Sequence, residues 1–162
     1  MNENPENQEK HEIGLYEKLA SRTADLLEAG RTTLDDALKR AREEMAKAGE
    51  FSEDQMDRVA SYVKRDIMEN AHRATKTVRE AVDPHRVAAG AQSIFSRILT
   101  SVADALSDLA KKAEEHLEFK TGEVTSPGTL RCQECQTDLH MKTIGRIPPC
   151  PKCHKTVFRK SY

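Results

Sequence analysis

Tryptophan is absent from this chain of 162 residues, and it holds only three tyrosines, four phenylalanines and seven glycines. Strands draw on aromatic and β-branched side chains and their reversals on glycine, so this poverty argues against a sheet-rich fold. Apolar residues are scarce too, at 37%, against ~45–50% in an average globular chain by a count that includes glycine. A thick two-layered enzyme core is therefore not expected. Long helices that each bury one stripe are. No apolar run approaches the ~20 residues needed to span a bilayer, and the acidic, polar stretch Met1–Glu12 has no secretory apolar region. These absences predict a soluble cytoplasmic protein without a membrane partner.

Charge of one sign is missing only in total. Twenty-six Lys and Arg nearly cancel twenty-seven Asp and Glu, for a net −1. Residues 1–50 carry −4, residues 51–120 carry −1 and residues 121–162 carry +4. All four cysteines lie in the last segment. Composition changes at the same place, from Leu, Ala, Glu and Lys to Thr, Pro, Gly and Cys, with the boundary near Thr121-Gly122. Three regions are expected: residues 1–9 disordered, residues 10–120 α-helical and coiled-coil-like, and residues 121–162 a separate small unit.

The helical region has explicit stops. From about Glu12, Leu15, Leu19, Leu26 and Leu27 recur at helical spacing until Gly30, a natural residue for ending a helix. Thr32 and Thr33 precede Leu34, with Asp35 and Asp36 behind them, which marks a second start. Leu34, Leu38, Ala41 and Met45 form its stripe, and Gly49 ends it. Ser52 and Gln55 have capping-box spacing, and Phe51 and Met56 sit as a hydrophobic staple. The stripe Met56, Val59, Val63, Ile67, Ala71, Ala74, Val78, Val82 then reaches Asp83-Pro84, where a fourth helix is expected to begin and run to about Lys120. Its Phe95, Leu99, Val102, Leu106, Leu109 and Ala113 alternate spacings of four and three, a heptad seam suited to a partner helix or a second copy of the chain. Short links imply antiparallel neighbours, so the expected class is mainly α: an elongated antiparallel helical hairpin or bundle with a small C-terminal β unit. Lys64-Arg65 and Lys111-Lys112 read as solvated pairs.

The one strong chemical pattern is Cys132-x-x-Cys135 and Cys150-x-x-Cys153, separated by fourteen residues. Each Cys-x-x-Cys turn can present two thiolates to one side of an ion, and two such knuckles complete a tetrahedron. The separation suits a β-hairpin, with strands expected at 129–131, 139–144 and 156–159. The pattern predicts a zinc ribbon holding one structural Zn2+. Spacing alone does not separate zinc from a rubredoxin-like iron site, but residues 121–162 offer only Phe158 and Tyr162 as aromatic shielding, which favours zinc. Disulfides would need an oxidising compartment, and thioredoxin-like chemistry a βαβ context that is lacking. A closed four-thiolate site keeps no position for water, so its expected role is structural.

Arg146, Lys152, Lys155, Arg159 and Lys160 are candidate phosphate or partner contacts. With two aromatics, however, the segment has almost no base-stacking platform, which weakens the case for nucleic acid. No phosphate-binding glycine motif, nucleophile elbow or convergent carboxylate pair is present, so no catalytic residue is assigned and an enzyme is not expected.

The chain resembles the YbeL-like bacterial proteins in two blocks. One is Gly49-Glu50-Phe51-Ser52 followed by Tyr62-Val63-Lys64-Arg65-Asp66-Ile67; the other comprises Gly122-Glu123-Val124, Pro127-Gly128-Thr129-Leu130, Cys132-x-x-Cys135 and Ile147-Pro148-Pro149-Cys150-Pro151-Lys152-Cys153. The resemblance implies an α-helical protein with a C-terminal zinc ribbon, ligated here by Cys132, Cys135, Cys150 and Cys153, and implies no reaction. One departure stands out: Gln136 and His154 replace the glycine common after each knuckle's second cysteine. Three roles are consistent with these features. The leading one is a zinc-dependent adaptor that binds another protein. The others are a regulator touching nucleic acid or the transcription and translation machinery, and a redox or metal sensor working through the thiolates.

Overall fold

The computed structural model describes residues 5–30, 32–49, 51–80 and 117–161, without the side chains of residues 5 and 71–80. Three helices come first: α1 (Pro5–Glu28), α2 (Leu34–Ala48) and α3 (Glu53–Glu80). Helix α2 is bounded as its sequence prescribes. Thr33 is extended and its side chain accepts from the Asp36 N–H, while Gly49, at φ 70°, bonds back to the Ala46 carbonyl. An L side chain would be strained at that left-handed position. The capping box before α3 also forms: the Ser52 N–H donates to Gln55 Oε1 at 3.1 Å, and the Gln55 N–H to Ser52 Oγ at 3.3 Å.

Helix α1 begins at Pro5, inside the stretch expected to be disordered. Proline's fixed φ suits the first helical position and its missing N–H costs nothing there; Glu6 in the first turn faces the positive end of the helix dipole. Polar composition concealed a helix that has no apolar residue to bury until its third turn.

The ion pairs give the helix directions. Arg42 pairs with Asp57 and Lys64 with Asp35, so α2 and α3 run antiparallel. Arg22 pairs with Glu44 at 2.5 Å across the antiparallel α1–α2 contact. Glu12 meets Arg58 and Tyr16 meets Asp66, so α1 and α3 run parallel. The exposed pairs fix register more than they stabilise, since such contacts contribute about 0–1 kcal/mol each. Stability comes from the shared core of Leu15, Tyr16, Leu19, Leu27, Leu34, Leu38, Met56, Val59, Val63 and Ile67. Three mutually packed helices thus make up the described helical part. The expected fourth helix and its heptad seam, Phe95 to Ala113, lie outside the described residues.

Its expected last turn is a different structure. Leu117 and Glu118 are irregular, and Phe119–Lys120 is strand β1. The C-terminal unit therefore starts before the expected boundary at Thr121, because the Phe119 side chain is wholly buried in that unit's core. The remaining strands are β2 (Val124–Thr125), β3 (Gly128–Cys132), β4 (Asp138–Met141), β5 (Gly145–Arg146) and β6 (Val157–Ser161). One antiparallel sheet has the order β1-β6-β3-β4; β2 and β5 form a second, two-stranded sheet.

The β unit is docked on the helices by that smaller sheet. Val124 inserts its side chain into the helical core, with Ile144 packed beside it. Next to it lies Asp66, fully buried. Its carboxylate accepts from Tyr16 Oη at 2.5 Å, from the Ser126 N–H at 2.7 Å and from Thr125 Oγ1 at 3.0 Å. Three donors from two parts of the chain offset the cost of burying this acid. Arg65 is not the solvated residue expected. Its side chain is 11% exposed, lies 4.0 Å over the Phe119 ring and pairs with Glu123.

Burial, and after it the neighbouring Asp66 charge, holds the Tyr16 phenol well above its ordinary value. An unfolded tyrosine ionises near pH ~10, so above that pH the folded state binds more protons than the unfolded one. The associated stability is fully present below pH ~10 and is lost as pH rises toward the folded value, with a limiting slope of ~1.4 kcal/mol per pH unit. Urea midpoints at pH 9 and pH 11 are expected to separate more for the parent than for Tyr16→Phe.

Candidate metal centre

Two short turns carry the four cysteines, and they have the same hydrogen bonds. In the first, the Gln136 N–H donates to the Cys132 carbonyl and the Cys132 N–H to the Thr137 carbonyl. In the second, the His154 N–H donates to the Cys150 carbonyl and the Cys150 N–H to the Lys155 carbonyl. Each turn needs a left-handed residue after its second cysteine. Gln136 takes it at φ 59° and His154 at φ 58°. The missing glycines leave the knuckles intact but strained, because Cβ crowds the following carbonyl in that conformation. Gln136→Gly and His154→Gly are each expected to stabilise the loaded protein by about 0.5–1 kcal/mol, readable as a raised thermal midpoint.

The sulfurs converge. Cys132 Sγ lies 3.5 Å from Cys153 Sγ, and Cys135 Sγ lies 3.5 Å from Cys150 Sγ. All four lie within 4.8 Å of one another. A tetrahedron with metal–sulfur bonds of ~2.3 Å has edges of about 3.8 Å, so the spacing fits a single ion and is far too wide for disulfides, which need ~2.05 Å. All four cysteines are free. Among the described residues this is the one cluster of three or more candidate ligands.

The electrostatics of the donor set also fit a cation. The Thr137 hydroxyl, 3.3 Å away, and then the Thr137 backbone pull the Cys135 thiol down to about 6. The Lys155 backbone favours the Cys153 thiolate, but burial and the three neighbouring sulfurs outweigh it and push that thiol up to about 12. Four sulfurs in contact cannot all hold negative charge unaided; a divalent ion removes the conflict by binding each as thiolate. Cys132 and Cys150 are buried with Phe119, Leu130, Ile147 and Phe158. Phe119 thus adds an aromatic that the expected boundary had left out of the unit.

The candidate cations divide. Lys152, Lys155 and Arg159 are exposed. Arg146 pairs with Glu12 of α1, and the Lys160 ammonium donates to the Ser126 carbonyl at 3.0 Å. Those two serve internal packing, which leaves a smaller basic surface than the sequence suggested. Composition also hid the junction of Tyr16, Arg65, Asp66 and Glu123. One clue was available: Asp66 falls on the apolar stripe of α3, three residues after Val63 and one before Ile67.

Compared with known families, residues 21–161 match the model described as "Zinc-ribbon containing domain". The chain belongs to this family. A relative of similar extent is "Uncharacterized protein YbeL" of Escherichia coli strain K12, 26% identical over 157 residues, which covers 90% of this chain and 92% of that protein. The proteins of the same name from E. coli O6:H1 and O157:H7 give the same figures. No solved structure matches the chain significantly. The two blocks that carry the YbeL-like resemblance meet in space: Arg65 and Asp66 from one bond to Glu123, Val124 and the adjoining Thr125 and Ser126 of the other. No helix among the described residues is long and apolar enough to cross a membrane.

Proposed function

We propose that this protein is a non-enzymatic, zinc-dependent adaptor, in which one structural zinc ion holds a ribbon that presents a surface to another protein. The supporting observation is the closed donor set: four sulfurs within 4.8 Å of one another fill a tetrahedral ion's coordination sphere and leave no site for water or substrate. Cys132, Cys135, Cys150 and Cys153 would hold the ion, whose contribution is to neutralise and cross-link the two knuckles. The exposed Lys152, Lys155 and Arg159 beside and beyond the second knuckle suit an acidic partner surface. A nucleic-acid role has less support, since Arg146 and Lys160 are used internally and, among the described residues, no row of exposed aromatics accompanies the cations.

The test combines metal analysis of the purified protein with crosslinking in the native cell, comparing the parent with Cys150→Ser and with Lys152→Glu/Lys155→Glu. The adaptor reading expects about one zinc per chain, and crosslinked partners that both variants lose. Unchanged partners in both variants would sink ribbon docking, and a metal-free parent would sink the zinc assignment.

A further inference from the structure

We propose that metal occupancy controls whether the ribbon stays docked on α1 and α3, so that the ribbon is a metal-held cover over the helix face containing Tyr16, Arg65 and Asp66. The inference rests on the zinc reading above and deepens it. A continuous set of contacts joins the two sites. Ile147 stands three residues before Cys150 and is buried with it in the ribbon core. The Ile147 N–H donates to the Glu123 carbonyl at 2.9 Å, and the Gly122 N–H to the Ile147 carbonyl at 2.8 Å. The stretch that leads from Ile147 to the ligand Cys150 thereby clamps the segment that reaches the helices.

That segment makes most of the junction. The Glu123 carboxylate accepts from the Lys120 N–H at 2.9 Å and pairs with Arg65. The Val124 carbonyl accepts from Arg65 at 3.4 Å, and Val124's side chain sits in the helical core. Thr125 and Ser126 supply two of the donors to Asp66. Arg146, paired with Val124 across the small sheet, reaches Glu12 of α1.

The ribbon's own core holds six buried residues, and two of them are the ligands Cys132 and Cys150. A unit of this size buries too little to stay folded without its ion. Loss of the ion therefore frees residues 122–126, removes two donors from a fully buried carboxylate and opens the face to solvent. Linkage runs both ways: what weakens docking must also weaken metal binding by the same factor.

Two measurements on the full chain test this. The first is hydrogen exchange of the zinc-loaded protein before and after a strong chelator, with zinc content measured alongside. Exchange is expected to rise about tenfold or more in α1 around residues 12–20 and in α3 around residues 62–70, as well as in the ribbon, within the ~5–150-fold range of typical couplings. The second is zinc competition against a chromophoric chelator for the parent and for Arg65→Met, which keeps the stem's packing but loses the guanidinium. About tenfold weaker binding by Arg65→Met is expected. Ribbon exchange that rises while both helices stay protected, or equal zinc affinity in parent and variant, overturns the inference and leaves the zinc assignment standing. A chain that binds no zinc overturns both.

Discussion

Cys150→Ser is expected to lose high-affinity zinc binding and with it the folded ribbon. Structural zinc sites bind with apparent energies of about 10–16 kcal/mol at neutral pH, as large as the whole stability of an ordinary domain, ~5–15 kcal/mol. The ribbon cannot replace that contribution, because Cys150 is itself part of its six-residue buried core. Cobalt substitution provides the readout. The parent should show the intense visible and thiolate charge-transfer bands of a tetrahedral four-sulfur site, and Cys150→Ser should show them weakened and blue-shifted or absent. Thermal unfolding should lose its metal-dependent component. Identical cobalt spectra for parent and variant would mean that Cys150 is not a ligand. Acid should act on the same site, since protons compete with the ion for each thiolate.

Asp66→Ala is expected to cost about 3–5 kcal/mol, the next largest effect. The substitution removes the acceptor shared by Tyr16, Thr125 and Ser126. Each orphaned buried donor carries a desolvation penalty of ~1–3 kcal/mol, and these do not simply add. Arg65 Nε, 3.7 Å from the carboxylate, loses a charge partner in the same step. In a chain of this length the thermal midpoint should fall by about 10 °C or more. Asp66→Asn keeps the shape and one acceptor oxygen, so its loss should be about half as large. A midpoint for Asp66→Ala within 2 °C of the parent would show that the buried acid contributes little.

Much of the fold was legible because its rules are local. Thr33, Gly49, Ser52 and Gln55 act within four residues of themselves, and each performs the capping role that its spacing indicates. The stripes of α1, α2 and the first half of α3 supply the helical core. The cysteine spacing named all four members of the metal cluster. Departures from expectation arose where local composition competes with distant contacts. Residues 5–9 look disordered by polarity, yet Pro5 starts a helix whose burial begins at Leu15. Phe119 reads as the end of a helical pattern but pairs with Phe158, 39 positions on, in the sheet. Arg65 reads as a solvated charge, but Phe119 and Glu123 surround it.

The sequence by itself determined both ends of α2, the start of α3, the pair of knuckles and the donor set for the ion, since each depends on residue type at short, fixed spacing. Tertiary structure alone decided that the ribbon is seated on the helices and that Asp66 is the acid at the centre of that junction. The physical reason is separation along the chain. Tyr16, Asp66 and Ser126 stand 50 and 60 residues apart, and no local propensity couples them. Their pairing follows from the packing of Val124 into the helical core, which sets the donors where a buried carboxylate requires them.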